Sequence, residues 1–244
     1  MKHINIPIFI PHLGCPFTCV FCDQNRISAT QDIPGEMEVF SIVEDHLATI
    51  PAGSEVEIAF FGGNFTMVEK ARQEMYLATV NRYLQDGRVQ GIRISTRPDG
   101  IDARILDFLQ QWGVRTIELG VQSLSDEVLE ASWRGYQAAD VFKACQLIKE
   151  YGFRLGIQLM LGLPGDKLEL DMKTVAKVIE LRPDMVRIYP TLVIAGTYLE
   201  KLYLKGKYIP LTLAEALQNS LAVYLQFQKE NIPVIRMGLQ PGEE

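Results

Sequence analysis

Three of the chain's four cysteines fall within eight residues, in the run Gly14-Cys15-Pro16-Phe17-Thr18-Cys19-Val20-Phe21-Cys22. Cysteines this crowded do not build a disulfide framework, and they point to a reducing compartment and to metal chemistry. Two arrangements fit the spacing. Cys15-x3-Cys19-x2-Cys22 can wrap three irons of a 4Fe-4S cube, leaving the fourth iron without a protein ligand and therefore open as a binding position. A structural zinc is the competitor; it wants four ligands and would have to recruit His12 or the distant Cys145. Cys145 sits among Ala144, Leu147 and Ile148 in a helical pattern and reads as core.

The rest of the chain must hold this loop in place. Its 244 residues are 48% hydrophobic and 22% charged, an ordinary globular composition that excludes disorder and a disulfide mini-scaffold. No apolar run approaches the ~20 residues of a membrane-spanning helix, and the N-terminal stretch has no signal-peptide pattern, so a cytoplasmic protein without a membrane partner is expected. With 24 Lys and Arg against 30 Asp and Glu, bulk charge disfavours non-specific nucleic-acid binding, though a local basic patch is compatible with it.

Periodicity predicts strands at 3–10, 56–61, 92–95, 116–121, 154–161 and 185–189, with a weaker seventh at 233–236. Helical patterns fall between them, at 36–49, 68–85, 102–112, 125–131 with 138–151, 168–181 and 213–230. Strand followed by helix, six times over, means parallel strands with crossover helices. No linker composition divides the chain, so residues 1–244 read as a single α/β domain. Each strand carries one aliphatic face, such as Ile117, Leu119 and Val121, and one polar face, such as Glu118, Gly120 and Gln122. Gln158 lies on the polar face of its strand, and Arg187 and Tyr189 on that of theirs. Unpaired buried polar groups cost about 1–3 kcal/mol each, so the polar faces must meet a partner. In a partial (β/α)6 TIM-like barrel those faces line the lumen, and a polar lumen implies a ligand. Glycine-rich and polar loops follow all six strands at their carboxyl ends, the edge where such folds build sites.

At this point the motifs carry a resemblance. The three-cysteine run with Phe21 before its last cysteine resembles the signature of radical S-adenosylmethionine (radical SAM) enzymes, and Phe61-Gly62-Gly63-Asn64 resembles that superfamily's glycine motif. Further elements, Thr96-Arg97-Pro98-Asp99, Gly120-Val121-Gln122-Ser123, Arg134-Gly135 and Tyr189-Pro190-Thr191, are similar to the radical SAM domain of the Elongator catalytic subunit, which modifies tRNA wobble uridine. Oxygen-independent coproporphyrinogen oxidases share Gly-Val-Gln-Ser and Gly162-Leu163-Pro164-Gly165, which gives tetrapyrrole oxidation as an alternative. A non-enzymatic alternative is a metal-stapled RNA-binding or assembly module. No acetyltransferase domain follows, and the chain stops at 240–244 just after a strand-like run, so a truncated C-terminus is expected.

The resemblance implies an oxygen-sensitive 4Fe-4S cluster held by Cys15, Cys19 and Cys22. It also implies S-adenosylmethionine, cleaved reductively to a 5'-deoxyadenosyl radical that acts on a tRNA uridine base. An electron donor such as flavodoxin or ferredoxin would be a partner. Gly62 and Gly63 would allow the methionine moiety to approach the backbone, and the Asn64 amide would accept from its ammonium. Phe21 would lie near the adenine, Gln122 and Ser123 would reach the ribose hydroxyls, and Arg97 or Arg134 would pair with the carboxylate. Glu118, Gln158 and Tyr189 are the expected catalytic residues of the lumen.

Overall fold

The computed structural model describes residues 3–28 and 32–238. Seven parallel strands lie side by side in chain order: β1 (His3–Phe9), β2 (Glu55–Phe61), β3 (Gly91–Thr96), β4 (Val114–Gln122), β5 (Arg154–Leu161), β6 (Met185–Pro190) and β7 (Val234–Met237). The helices are α1 (Gln24–Ser28), α2 (Glu36–Leu47), α3 (Lys70–Gln85), α4 (Ala103–Gln111), α5 (Asp126–Ala131), α6 (Ala138–Glu150), α7 (Leu168–Leu181), α8 (Tyr198–Leu204) and α9 (Leu213–Lys229). The expected six-stranded partial barrel thus has seven strands, because the weaker strand at 233–236 pairs in parallel with β6. The sheet curls but does not close, since β1 and β7 form its two edges and do not pair with each other. The expected truncation concerns residues 240–244, which lie outside the described residues.

Burial explains the curl. Ile6 and Ile8 on β1, Ile117 and Leu119 on β4, Leu155 and Ile157 on β5, and Val186 and Ile188 on β6 are all buried on the outer face. They form one core with Val39 and Val43 of α2, Tyr76 and Val80 of α3, Leu106 of α4, Cys145 of α6, Val178 of α7 and Phe227 of α9. Each such side chain gains roughly 1.5–3 kcal/mol on leaving water, which fixes the aliphatic face under the helices and turns the polar face inward. Cys145 belongs to this core, as its neighbours in sequence indicate.

Helix boundaries follow local chemistry. Asp102 caps α4 by accepting from the Ile105 backbone N–H at 2.8 Å. Thr212 and Glu215 form a reciprocal capping box at the start of α9. The short helices α1, of five residues, and α8, of seven, are not among the helices expected from periodicity. Both lie beside the cavity described next: Arg26 of α1 lines it, and the N–H of Leu199 in α8 donates to the Val20 carbonyl of the cysteine loop at 2.7 Å.

Candidate active site

The cysteine loop leaves the carboxyl end of β1 and is held on several sides. The Val20 N–H donates to the Ser132 carbonyl at 3.3 Å, and the Asn64 N–H donates to the Leu13 carbonyl at 2.8 Å. A Cβ on Gly63 would stand 2.5 Å from the Leu13 carbonyl oxygen and 2.6 Å from that of Ile10. The β2 exit therefore needs glycine there to seat the cysteine loop, whatever else binds nearby. Gly62 adopts φ +92°, a conformation that favours glycine.

Above the strand ends lies a cavity of about 800 Å³. It brings together Cys15, Cys19, Cys22, Phe21, Gly62, Gly63, Arg97, Glu118, Gln122, Arg134, Gln158 and Tyr189, residues drawn from six different strand-exit regions. Two expected contacts are not on its wall. Asn64 is 0% exposed, and its Oδ1 accepts from the Thr96 hydroxyl and from the Arg97 N–H at 3.3 Å, which ties β2's exit to β3's, while its buried Nδ2 has no hydrogen-bond partner among the described residues. Ser123 is buried, and its Oγ accepts from the Ser125 N–H at 3.2 Å, which bends the chain into α5. For Ser123 this is a short hydroxyl bonding the nearest backbone.

The two expected arginines are buried and held by partners within the chain. Arg97 forms a bidentate pair with Asp99, Nε to Oδ1 and Nη2 to Oδ2 both at 2.9 Å, and its guanidinium lies 5.3 Å from the centroid of the Phe17 ring. Arg134 donates from Nε to the Tyr136 hydroxyl at 2.9 Å, from Nη2 to the Gly120 carbonyl at 2.6 Å, and from Nη1 to the Cys19 Sγ at 3.0 Å. Gln122 is placed by a register shift between β4 and β5 and sits at φ +67°. Gln158 Nε2 reaches its Oε1 at 3.5 Å, so this pair spans neighbouring strands across the lumen wall.

Below the cavity the lumen is plugged by charge. Arg93 is 2% exposed and donates to Glu57 Oε2 from Nε at 3.0 Å and from Nη2 at 2.6 Å, while its Nη1 reaches Glu118 Oε1 at 2.6 Å. Glu118 also accepts from Arg187, from Nε at 2.6 Å and from Nη2 at 3.0 Å, and Glu57 accepts from the Thr116 hydroxyl at 2.8 Å. Burial works to raise the Glu57 carboxyl, but Arg93, with Thr116 and His3, outweighs it and holds the group below the usual carboxylate value of 4.5. Gly156 makes room, since a Cβ there would stand 2.8 Å from the Glu118 Cγ. Glu118, expected as catalytic, is therefore committed on both oxygens to this ladder, whereas Gln158 and Tyr189 stand above it. Glu57 and Arg93 are not among the expected site residues. Their signals are nonetheless present, a carboxylate in Val56-Glu57-Ile58-Ala59-Phe60 and an arginine between Ile92 and Ile94, because a strand buried on both faces carries charges only in pairs.

Two of the three thiols, Cys15 and Cys22, resist ionisation as they stand. Burial, then the Cys19 thiol, raises Cys15, and burial with the two neighbouring thiols pushes Cys22 up to about 12. Soft metal binding is the chemistry that draws such protons off. His12 is not a spare ligand, since its Nε2 accepts from the Gln24 N–H at 2.8 Å, and Cys145 lies in the core. Among the described residues no three His, Cys, Asp or Glu side chains are grouped to hold a single ion. A cube takes its thiolates on three separate irons, which suits three thiols spread along one cavity wall and no fourth. The donor set fits such a cluster.

An open barrel of seven parallel strands, with three thiols on the loop after β1 and a polar cavity over the strand ends, defines an α/β half-barrel enzyme built around a thiolate-ligated centre. The chain belongs to the radical SAM superfamily: residues 9–177 match that family, and residues 183–244 match the Radical_SAM C-terminal domain. The superfamily's cofactors are a 4Fe-4S cluster and S-adenosylmethionine. The chain is 38% identical over 134 residues to a tRNA uridine(34) acetyltransferase of Methanocaldococcus jannaschii, covering 54% of this chain and 25% of that protein. It is 33% identical over 165 residues to human Elongator complex protein 3, covering 62% of this chain and 30% of that one. The archaeal Methanocaldococcus infernus Elp3 with an N-terminal deletion superposes with a TM-score of 0.72 at 23% identity, over 100% of this chain and 57% of that one, a likeness of fold. The chain therefore spans little more than half of that structure and less of the two curated relatives it matches.

Proposed function

We propose that this radical SAM enzyme acts on a tRNA uridine base. The observation that carries the reading is the similarity to proteins named for tRNA uridine(34) chemistry and for Elongator, supported by a cavity over a sheet whose edge strands β1 and β7 do not pair. Cys15, Cys19 and Cys22 would hold the cluster, which supplies the electron that cleaves S-adenosylmethionine. The chain's own residues bind and orient around it. Arg134 donates to the Cys19 sulfur and braces the cysteine loop. Gly62 and Gly63 offer backbone without side-chain bulk, and Phe21 offers a ring to an adenine. Gln122 offers an amide to ribose hydroxyls, and the Arg97–Asp99 pair keeps one guanidinium at the wall where a carboxylate can approach. Gln158 and Tyr189, above the charged ladder, orient the substrate.

The two matched segments contribute strands to one sheet, and we read them as one working domain. A flavodoxin or ferredoxin is the proposed electron donor, and a reducing cytoplasm the proposed setting, since three free thiols and an oxygen-sensitive cluster both require it. Among the described residues no helix is long and apolar enough to cross a membrane. The test is anaerobic reconstitution with iron and sulfide, followed by S-adenosylmethionine and dithionite, with and without an unmodified tRNA transcript. The reading expects 5'-deoxyadenosine to form, to form faster with tRNA, and to be accompanied by a mass change on a uridine. A loaded cluster that makes 5'-deoxyadenosine while leaving every tRNA nucleoside unchanged, with any tRNA supplied, overturns the substrate and leaves the superfamily chemistry standing.

A further inference from the structure

The cavity is cationic although the chain carries a formal charge of -6. Five arginines reach its wall, Arg26, Arg97, Arg134, Arg187 and Arg236, against the single carboxylate of Glu118. Four of the five are accounted for. Arg26 lies 3.4 Å from Asp23, Arg97 is clamped by Asp99, Arg187 by Glu118, and Arg134 faces the Cys19 sulfur. Arg236 is not. Its Nε donates to the Gly238 carbonyl at 3.2 Å, and among the described residues no carboxylate pairs with it.

Its position sharpens the imbalance. Arg236 stands opposite Arg187 in the register of β6 and β7, so two guanidiniums occupy adjacent strands. The one carboxylate on the cavity wall, Glu118, is already shared between Arg93 and Arg187. The ladder itself is neutral, two glutamates against two arginines, and Arg236 is the surplus charge beside it. Like charges side by side repel unless an anion lies between them. Across the opening, Asn5 on the other edge strand lines the same cavity, and its buried Oδ1 has no hydrogen-bond donor among the described residues. A surplus fork of donors on one edge strand and an unfilled acceptor on the other both call for a guest at the unclosed side of the barrel.

We propose that Arg236, beside Arg187, binds a phosphate of the substrate at the β6–β7 flank of the cavity. A guanidinium left with two free terminal nitrogens matches phosphate oxygens bidentately. The Asn5 oxygen would accept from a base N–H or a hydroxyl of the same ligand. This deepens the tRNA reading, on which its choice of phosphate source rests: a nucleic-acid backbone entering through the gap between β1 and β7.

Two measurements on the cluster-loaded protein test it, each on wild type, Arg236→Gln and Arg236→Lys. The first is thermal unfolding with and without inorganic phosphate at constant ionic strength. The second is anisotropy titration of a labelled unmodified tRNA transcript across a salt series. Phosphate is expected to raise the Tm of wild type and of Arg236→Lys but not of Arg236→Gln. The glutamine variant is expected to bind tRNA about three- to tenfold more weakly, with a salt slope shallower by about 0.7–0.9, the value of one lost phosphate contact. If Arg236→Gln matches wild type in both measurements, or wild type responds to neither probe, the site is overturned. A phosphate effect lost in Arg236→Gln, without any tRNA binding, keeps the site and discards tRNA as its source. tRNA binding by wild type that Arg236→Gln leaves intact in affinity and slope discards the site and keeps the tRNA reading.

Discussion

The two ends of the lumen are built on opposite principles. At the floor, Glu57, Arg93, Glu118 and Arg187 satisfy one another, and their hydrogen bonds are made entirely within the chain. At the mouth, three thiols share one wall, two of them, Cys15 and Cys22, with raised affinity for their protons, and a buried guanidinium spends one donor on sulfur. A self-satisfied polar network stabilises a fold and resists change, whereas a set of groups that cost free energy as they stand is completed by something else. The difference separates charges that hold the barrel open from those that serve chemistry, although both sit on the same inward faces.

The comparison can be broken most severely at the mouth. Cys15→Ala, Cys19→Ala or Cys22→Ala is expected to abolish cluster loading, read as iron and acid-labile sulfide after anaerobic reconstitution, while Cys145→Ala loads normally. A Cys145→Ala protein unable to load would remove the three-thiol assignment. At the floor, Arg93→Leu leaves two buried carboxylates without their shared partner. It should cost about 3–5 kcal/mol in urea unfolding of the cluster-free protein. Glu118→Gln should likewise register first as lost stability. If it instead lowered turnover with unfolding unchanged, Glu118 would belong to the mouth and not to the floor.

A smaller effect sharpens the boundary. Arg134→Leu removes the donor to Cys19 without touching a thiol, and cluster retention under chelator challenge should fall about 10- to 100-fold, as for other groups that support metal ligands. The last test uses pH, where two buried carboxylates act with opposite sign. Glu57 is held below its ordinary 4.5, so its contribution is complete above that value and is lost as pH falls through the lowered one. Asp171, in α7, is pushed up to about 9 by burial, with the adjacent Asp166 adding to it, from an ordinary 3.8. It stays protonated in the fold while the unfolded chain has released its proton, so stability drains away as pH rises between those two values. Asp171→Asn should flatten that alkaline slope, and Glu57→Gln the acid one, in unfolding series run across pH. A slope unchanged by Asp171→Asn would show that the pair does not carry it.

Much of the site is legible in the sequence. The cysteine triplet, the glycines after β2 and the polar alternation of Glu118 to Gln122 are local patterns, and local patterns survive folding unchanged. Motif position also assigns Asn64 and Ser123 to a ligand, and the fold buries both off the cavity wall, with the Asn64 oxygen on Thr96 and Arg97 and the Ser123 hydroxyl on the Ser125 backbone. Arg97 and Arg134 do stand at the wall, but their partners, Asp99 two residues away and Cys19 115 residues away, differ in how far a sequence can show them.

The sequence by itself determined the alternation of strands and helices, the faces those strands bury, and the crowding of three thiols on one loop, because periodicity and spacing are properties of a few neighbouring residues. Tertiary structure alone decided which charges cancel. Glu57 meets Arg93 36 residues on, and Glu118 meets Arg187 69 residues on, so their pairing exists only once the sheet has curled. The same curl leaves Arg236 and Asn5 on the two unpaired edges. An ion pair is a matter of distance in space, and only the register of all seven strands fixes that distance.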